Sequence, residues 1–391
     1  MKTEFENMNT TVTVSADTPN PQNDDAKGTS ELNRLINSYN RMISAKSIYY
    51  PVAYRFGPEL GRGHQGIVFK AYRHGARGCM TRHAIKLFDP SIYPSCEKYW
   101  IDMGRVAAQI SHLQSFDCPN LIRRDIYEEA NGIGYVQMNV IEGLDVQQLM
   151  HGNHFKKVQA VCSVEEWSKF TDIIFRFEDN SVRIQPGVAV YIVRSALRGL
   201  EVLHKAGYLH SDIKPANLMV DKLGLIKLVD YGRAVQVDEQ LSFLLGTPLY
   251  MAPETHMNKQ SGIQSDIYSL GLVLLEMLTG KPLVDPASMT EDELLEYKMK
   301  LPEILPELTP CYVREDEEFM AVLMRFLDPD PLKRFGSADK AESLADGGLA
   351  RLHQRLTLVH SDSQYDRDME RYISALFPSK TNIDEHQQML A

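Results

Sequence analysis

The spacing of apolar positions changes several times along the chain. Residues 1–30 are rich in Thr, Asn, Asp, Ser, Pro and Gln and show no period, so a disordered tail is expected there. A short helical pattern, Glu31–Ile43, follows. From Tyr54 the pattern becomes strand-like. Arg55–Tyr72 reads as strand, Gly-rich turn and strand, and His83–Phe88 as a further strand. Cys96–Leu113 has helical spacing, and Gly134–Val140 is expected as a strand after a turn at Asn131-Gly132. Beyond residue 144 the period is mainly helical. Gly187–His204 reads as a long apolar helix and Ile267–Leu278 as a helix buried all round.

Strands first and helices afterwards predict an α+β chain with two lobes. The small lobe carries a β-sheet and one helix, and the larger lobe is mainly helical. The expected boundaries are a tail over 1–48, the small lobe over 49–143, the large lobe over 144–349 with an insertion at 151–185, and a helical extension over 350–391. The insertion offers a helix at Val164–Phe177. The extension offers two, Leu352–Val359 and Met369–Phe377.

Composition narrows the function classes. With 43% hydrophobic residues in 391, most of the chain can bury a core. A net charge of −10 argues against a nucleic-acid binder. Cys79, Cys96, Cys118, Cys162 and Cys311 are odd in number and form no C-x-x-C pair, so they read as reduced thiols. The acidic N-terminus lacks an apolar signal core, and runs such as Leu270–Leu275 are too short to span a bilayer. A soluble, cytoplasmic protein without membrane contact is expected. The acidity is regional: residues 285–330 hold 13 acidic and 4 basic side chains, including Glu291-Asp-Glu293 and Glu315-Asp-Glu-Glu318. Two readings stay open for them, solvated helix starts and a docking face for a basic partner.

Candidate chemistry begins at Gly61-Arg-Gly-His-Gln-Gly-Ile-Val68, a G-x-G-x-x-G-x-V pattern. Dinucleotide folds use the same glycines but lead into a helix, whereas Ile67–Tyr72 is β-branched and aromatic and so a strand. The glycines Gly61, Gly63 and Gly66 therefore cap a hairpin whose amides can lie over phosphates. In His83-Ala-Ile-Lys86 a lysine sits inside an apolar strand and needs an anionic partner. Then comes Tyr208-Leu-His-Ser-Asp-Ile-Lys-Pro-Ala-Asn-Leu-Met219.

At this segment the chain resembles the eukaryotic-type protein kinases of the serine/threonine branch. His210, Asp212, Lys214 and Asn217 stand in register with the family's H-R-D-x-K-x-x-N loop, Asp230-Tyr-Gly232 with D-F-G, and Ala252-Pro-Glu254 with A-P-E. Gly246–Met251, Asp266–Gly271 and Arg334 fit three further family segments, and the resemblance covers roughly residues 54–345. It implies the two-lobed kinase fold and transfer of the ATP γ-phosphate to serine or threonine hydroxyls of protein substrates. Asp212 would act as base and Lys214 would neutralise the γ-phosphate. Asn217 and Asp230 would hold Mg²⁺. Lys86, with Gly61, Gly63, Gly66 and Val68, would hold the rest of the triphosphate, and Met138 and the backbone around Val140 would line the adenine slot.

Two departures stand out. Ser211 replaces the arginine that in the family binds a phosphorylated activation loop, so activity independent of loop phosphorylation is expected; the loop, Arg233–Gly246, offers only Ser242 before Thr247. Counting back from Cys118-Pro-Asn120 places Gln109 where the family has a helix glutamate paired with the strand lysine, with Asp102 and Glu97 as other candidates. A carboxamide would remove the Coulomb attraction to Lys86, which keeps a nucleotide-binding pseudokinase scaffold as the alternative.

Overall fold

The computed structural model describes residues 21–49, 53–178, 181–231, 234–236, 247–258, 261–285, 289–345, 347–359 and 364–377. The chain divides into two compact units, Met1–Ala107 with Tyr127–Gln137, and Ala108–Ile126 with Met138–Ala391.

The smaller unit opens with helix α1 (Pro21–Ala45), which starts ten residues before the expected Glu31. Residues 1–20 of the expected tail lie outside the described residues. Leu35, Tyr39 and Met42 recur at helical spacing and are buried. Strands β1 (Ser47–Ile48), β2 (Tyr54–Gly63), β3 (Gly66–His74), β4 (Met80–Phe88), β5 (Arg124–Ala130) and β6 (Ile133–Met138) form one sheet in the order β1-β2-β3-β4-β6-β5. Helix α2 spans Cys96–Leu113, as its spacing predicts. The β5–β6 turn uses Asn131 and Gly132, both at positive φ.

The larger unit is mainly helical, as expected. Strand β7 (Gly143–Asp145) leads into α3 (Val146–Met150). The insertion folds as α4 (His154–Gln159), α5 (Val164–Ile173) and a hairpin of β8 (Phe175–Glu178) and β9 (Ser181–Ile184). Helix α6 (Pro186–Lys205) follows; then come β10 (Tyr208–Leu209), β11 (Leu218–Asp221), β12 (Ile226–Leu228) and β13 (Val235–Gln236). Next are α7 (Pro253–Asn258), α8 (Ile263–Thr279), α9 (Glu291–Met299), α10 (Leu301–Leu308), α11 (Cys311–Arg314), α12 (Glu317–Phe326) and α13 (Ala338–Glu342). The extension supplies α14 (Leu349–Val359) and α15 (Tyr365–Leu376), close to the two expected helices. Every residue of α8 from Ser265 to Leu278 is buried, so it is the axis of the core. Among the described residues, no helix is long and apolar enough to cross a membrane.

The extension packs back onto the insertion. Tyr372 of α15 is fully buried. Its ring meets Phe170, Phe175 and His154 edge-on, and its hydroxyl is 2.7 Å from His154 Nδ1. Part of the acidic stretch is answered in the same way: Arg355 of α14 reaches both oxygens of Asp316 at 2.7 and 2.6 Å, and Arg351 meets Glu318 at 2.9 Å. Replacing Tyr372 with Ala is expected to cost about 3–5 kcal/mol, because it empties an aromatic site that cannot collapse. Tyr372→Phe, which keeps the ring, is expected to cost about 1 kcal/mol. Urea unfolding of the full chain checks both values.

Candidate active site

The β11–β12 hairpin sets the geometry of the larger unit's polar cluster. Leu218 pairs with Leu228, and Val229 N–H donates to Asn217 O at 3.0 Å. Asn217 and Asp230 therefore sit at one end of the same hairpin. The segment Leu209–Asn217 returns to that end and brings Asp212 with it. Asn217 Nδ2 donates to Asp212 O at 2.7 Å and to Asp212 Oδ2 at 3.3 Å. With its amide nitrogen held there, Asn217 has its carbonyl oxygen left as an acceptor.

Asp212 is buried and accepts three side-chain hydrogen bonds. Besides Asn217, Lys214 Nζ reaches Oδ2 at 2.9 Å and Thr247 Oγ1 reaches Oδ1 at 3.0 Å. Lys214 Nζ also donates to Thr247 Oγ1 at 3.0 Å. The sequence pattern placed Thr247 inside the Gly246–Met251 segment without a role; the structure puts its hydroxyl on both Asp212 and Lys214.

The backbone that carries Asp212 is strained and tied down. Ser211 and Asp230 have positive φ, 64° and 56°, conformations that cost about 1–3 kcal/mol each in residues with a side chain. Asp266 of α8 is fully buried and offsets part of this. Its Oδ2 accepts from His210 N at 2.8 Å and lies 2.8 Å from His204 Nε2; its Oδ1 accepts from Ser211 N at 2.9 Å. Burial alone would raise this carboxyl, but the His204 hydrogen bond, the two imidazoles and the Ser211 N–H hold it below the usual carboxylate range. Burial lowers His210, against the opposing Asp266 and Asp212 charges, the Val229 carbonyl and the Asp230 charge. Its Nε2 then donates to Val229 O at 3.1 Å, while Nδ1 accepts from Asp212 N at 3.4 Å. Ser211 Oγ is buried with no hydrogen-bond partner among the described residues and lines a polar cavity of about 20 Å³ with Asp266, Ser265 and Ser269, room for about one water.

Gln109 does not leave its carboxamide idle. Its Nε2 donates to Tyr231 O at 3.1 Å, and its Oε1 accepts from Arg124 Nη1 at 3.0 Å. Arg124 is fully buried, and its guanidinium stacks 3.6 Å from the Tyr231 ring centroid. Burial lowers Arg124, and the Tyr231 and Asp230 charges oppose that. The Tyr231 hydroxyl donates to Ile122 O at 2.5 Å. Asp102, another candidate partner of Lys86, accepts from the Tyr93 hydroxyl at 2.5 Å. Gly232 and Ser242 lie outside the described residues.

In the smaller unit β2 and β3 form the expected hairpin over the glycines. Gly66 is fixed by packing: φ is 146°, and a Cβ would come within 1.8 Å of Leu87 O. Gly61 and Gly63 are different, because a Cβ on either would meet open space. Val68 lies opposite Lys86 in the β3–β4 register. Lys86 is buried, and its Nζ donates to Gln65 Oε1 at 2.8 Å. Sequence reasoning missed Gln65; its place between the second and third glycines was the available signal. Met138 is buried, and Asn139 N–H donates to Arg123 O at 3.2 Å, next to the half-buried Val140.

This two-part α+β fold, with its hairpin glycines and its Asp-Lys-Asn loop, defines a phosphotransferase scaffold. The chain belongs to the protein kinase domain family, whose pattern it matches over residues 54–344. It is 27% identical over 289 residues to the serine/threonine-protein kinase ste20 of Aspergillus oryzae, 72% of this chain and 28% of that protein. It is 32% identical over 180 residues to serine/threonine-protein kinase PknB of Mycolicibacterium smegmatis, 44% of this chain and 27% of that one. Mitogen-activated protein kinase kinase kinase 17 of Arabidopsis thaliana is 35% identical over 136 residues, 34% of this chain and 36% of its own length. The chain spans well under half the length of these relatives. Arg334, which fits a family segment, forms a bidentate ion pair with Glu254, both bonds at 2.8 Å.

Asp266→Asn is expected to destabilise the fold by about 2–4 kcal/mol, since a buried carboxylate that accepts three bonds is lost. Because the Asp266 carboxyl is held below its ordinary value of 3.8, its contribution is fully present above that pH and is lost as pH falls through the lower, folded value. Urea midpoints measured from pH 7 downward for both proteins check this; their difference should persist to pH 4 and shrink below it.

Proposed function

We propose that this protein is an ATP-dependent serine/threonine kinase that phosphorylates protein hydroxyls. The observation that carries the reading is the bonding of Asp212 to Lys214, Thr247 and Asn217 in one buried cluster. Asp212 is held with a carboxylate oxygen free to turn from Thr247 to an acceptor hydroxyl, which it orients and deprotonates. Lys214, one bond away, answers charge on the transferred phosphoryl group. The Asn217 oxygen and the Asp230 carboxylate form an all-oxygen donor set that fits Mg²⁺, which when bound neutralises phosphate charge. Lys86 and the uncrowded amides of Gly61 and Gly63 bind phosphate oxygens, with Gly66 and Val68 shaping the hairpin. Met138 and the Val140 backbone supply an apolar wall with a polar edge for adenine.

Ser211 supports transfer without activation-loop phosphorylation. Its side chain carries no charge, and its N–H is already fixed by Asp266, so the loop that holds Asp212 needs no phosphate to order it. A scaffold that binds nucleotide without transfer is the second reading, and the commitment of Gln109 to Arg124 and Tyr231 favours it. A cytoplasmic location fits the absence of a membrane-length helix among the described residues. A basic partner for 285–330 would compete with Arg351 and Arg355 for Glu318 and Asp316.

Asp212→Asn and Lys86→Met are each expected to lower phosphate transfer from labelled Mg·ATP to a generic basic protein by at least about 10²-fold, with folding retained. A thermal shift with Mg·ATP but no transfer by the wild-type chain would select the scaffold reading. Ser242→Ala is expected to keep turnover within about twofold of wild type, and loss of turnover with an intact fold would refute loop independence.

A further inference from the structure

Lys298 of α9 is fully buried, yet among the described residues no carboxylate lies within ion-pair reach of it. Its Nζ donates to Pro248 O and to Met251 O, each at 2.7 Å, and lies 3.3 Å from His256 Nε2. His256 Nε2 is also 3.2 Å from Pro248 O. An apolar side chain of the same length would be far cheaper to bury. The ammonium group is kept there for its donors, which cross-link two carbonyls of one short turn.

That turn, Pro248–Tyr250, directly follows Thr247, whose hydroxyl bonds both Asp212 and Lys214. We propose that Lys298 is a positioning residue: it clamps the Pro248–Met251 turn and thereby sets Thr247 against Asp212 and Lys214. The inference rests on the kinase reading for its catalytic consequence, though not for the clamp itself.

Burial pulls the Lys298 amine down to about 7, against the opposing charge of Glu254. Burial and then the Lys298 charge also lower His256, with Pro248 O, Glu291 and Glu254 acting the other way. Glu254 is itself taken up by Arg334, and the Tyr250 hydroxyl bonds Glu276 at 2.7 Å. The amine is satisfied in both protonation states. Uncharged, it offers two N–H groups to the carbonyls and a lone pair to His256 Nε2–H. Charged, its third N–H needs His256 Nε2 as acceptor, with the imidazole proton on Nδ1. The clamp therefore holds across neutral pH.

The test is Lys298→Met in the full chain. Turnover of a generic basic protein is expected to fall about 10- to 100-fold in kcat/KM, while the KM for Mg·ATP stays within about twofold. Amide exchange at Tyr250 and Met251, whose N–H groups donate to Thr247 O and Pro248 O, is expected to speed up at least about tenfold, with exchange in α6 unchanged. A KM for Mg·ATP raised as much as turnover falls, or unchanged exchange in the turn, would overturn the proposal. If Lys298→Met does not fold, His256→Leu reads the same turn with the clamp weakened; faster exchange at Tyr250 and Met251 supports the proposal and unchanged exchange defeats it. Absent transfer by the wild-type protein would sink the kinase reading, while the exchange comparison would still decide the clamp.

Discussion

A buried carboxylate holds the rest of the site in place. Asp266 sits on α8, the most buried helix of the larger unit, and accepts the N–H groups of His210 and Ser211 together with a bond from His204. Those two amides open the segment that carries Asp212, Lys214 and Asn217. The strained backbone at Ser211 persists because Asp266 of α8 accepts its N–H and that of His210. A rigid helix, rather than the loop itself, thus determines where the reacting groups stand.

Much of this was legible in the residues. The change from strand spacing to helical spacing showed a sheet-bearing part followed by a mainly helical one, Cys96–Leu113 was placed to the residue, and the two tail helices were found with starts three and four residues late. Short patterns with steep chemical demands, such as His210–Asn217, read clearly because few other residue types would serve there. The start of α1 did not, since a polar first turn carries no period and depends on Leu35, Tyr39 and Met42 further on. Gln65 and Arg124 were also silent. Each acts through a partner distant in sequence, and spacing shows nothing of contacts made only after folding.

The fate of Gln109 illustrates the same limit. By position it suggested a weakened partner for Lys86. In the larger unit it instead joins Arg124 and the Tyr231 backbone, where a carboxamide can donate and accept at once. A carboxylate there would meet a carbonyl oxygen with no proton to share. The glutamine is thus the residue type that this network requires, and the buried guanidinium finds an aromatic face and an amide oxygen in place of an anion.

Tyr372 carries a consequence for where the domain ends. The family match stops at residue 344, and by that boundary α14 and α15 are an appendage. The aromatic rings of the insertion say otherwise: Phe170, Phe175 and His154 lie under a tail residue about two hundred positions away. A chain cut at the family boundary would present those rings to water as a sticky patch. The insertion and the tail are two halves of one addition, and neither is expendable while the other remains.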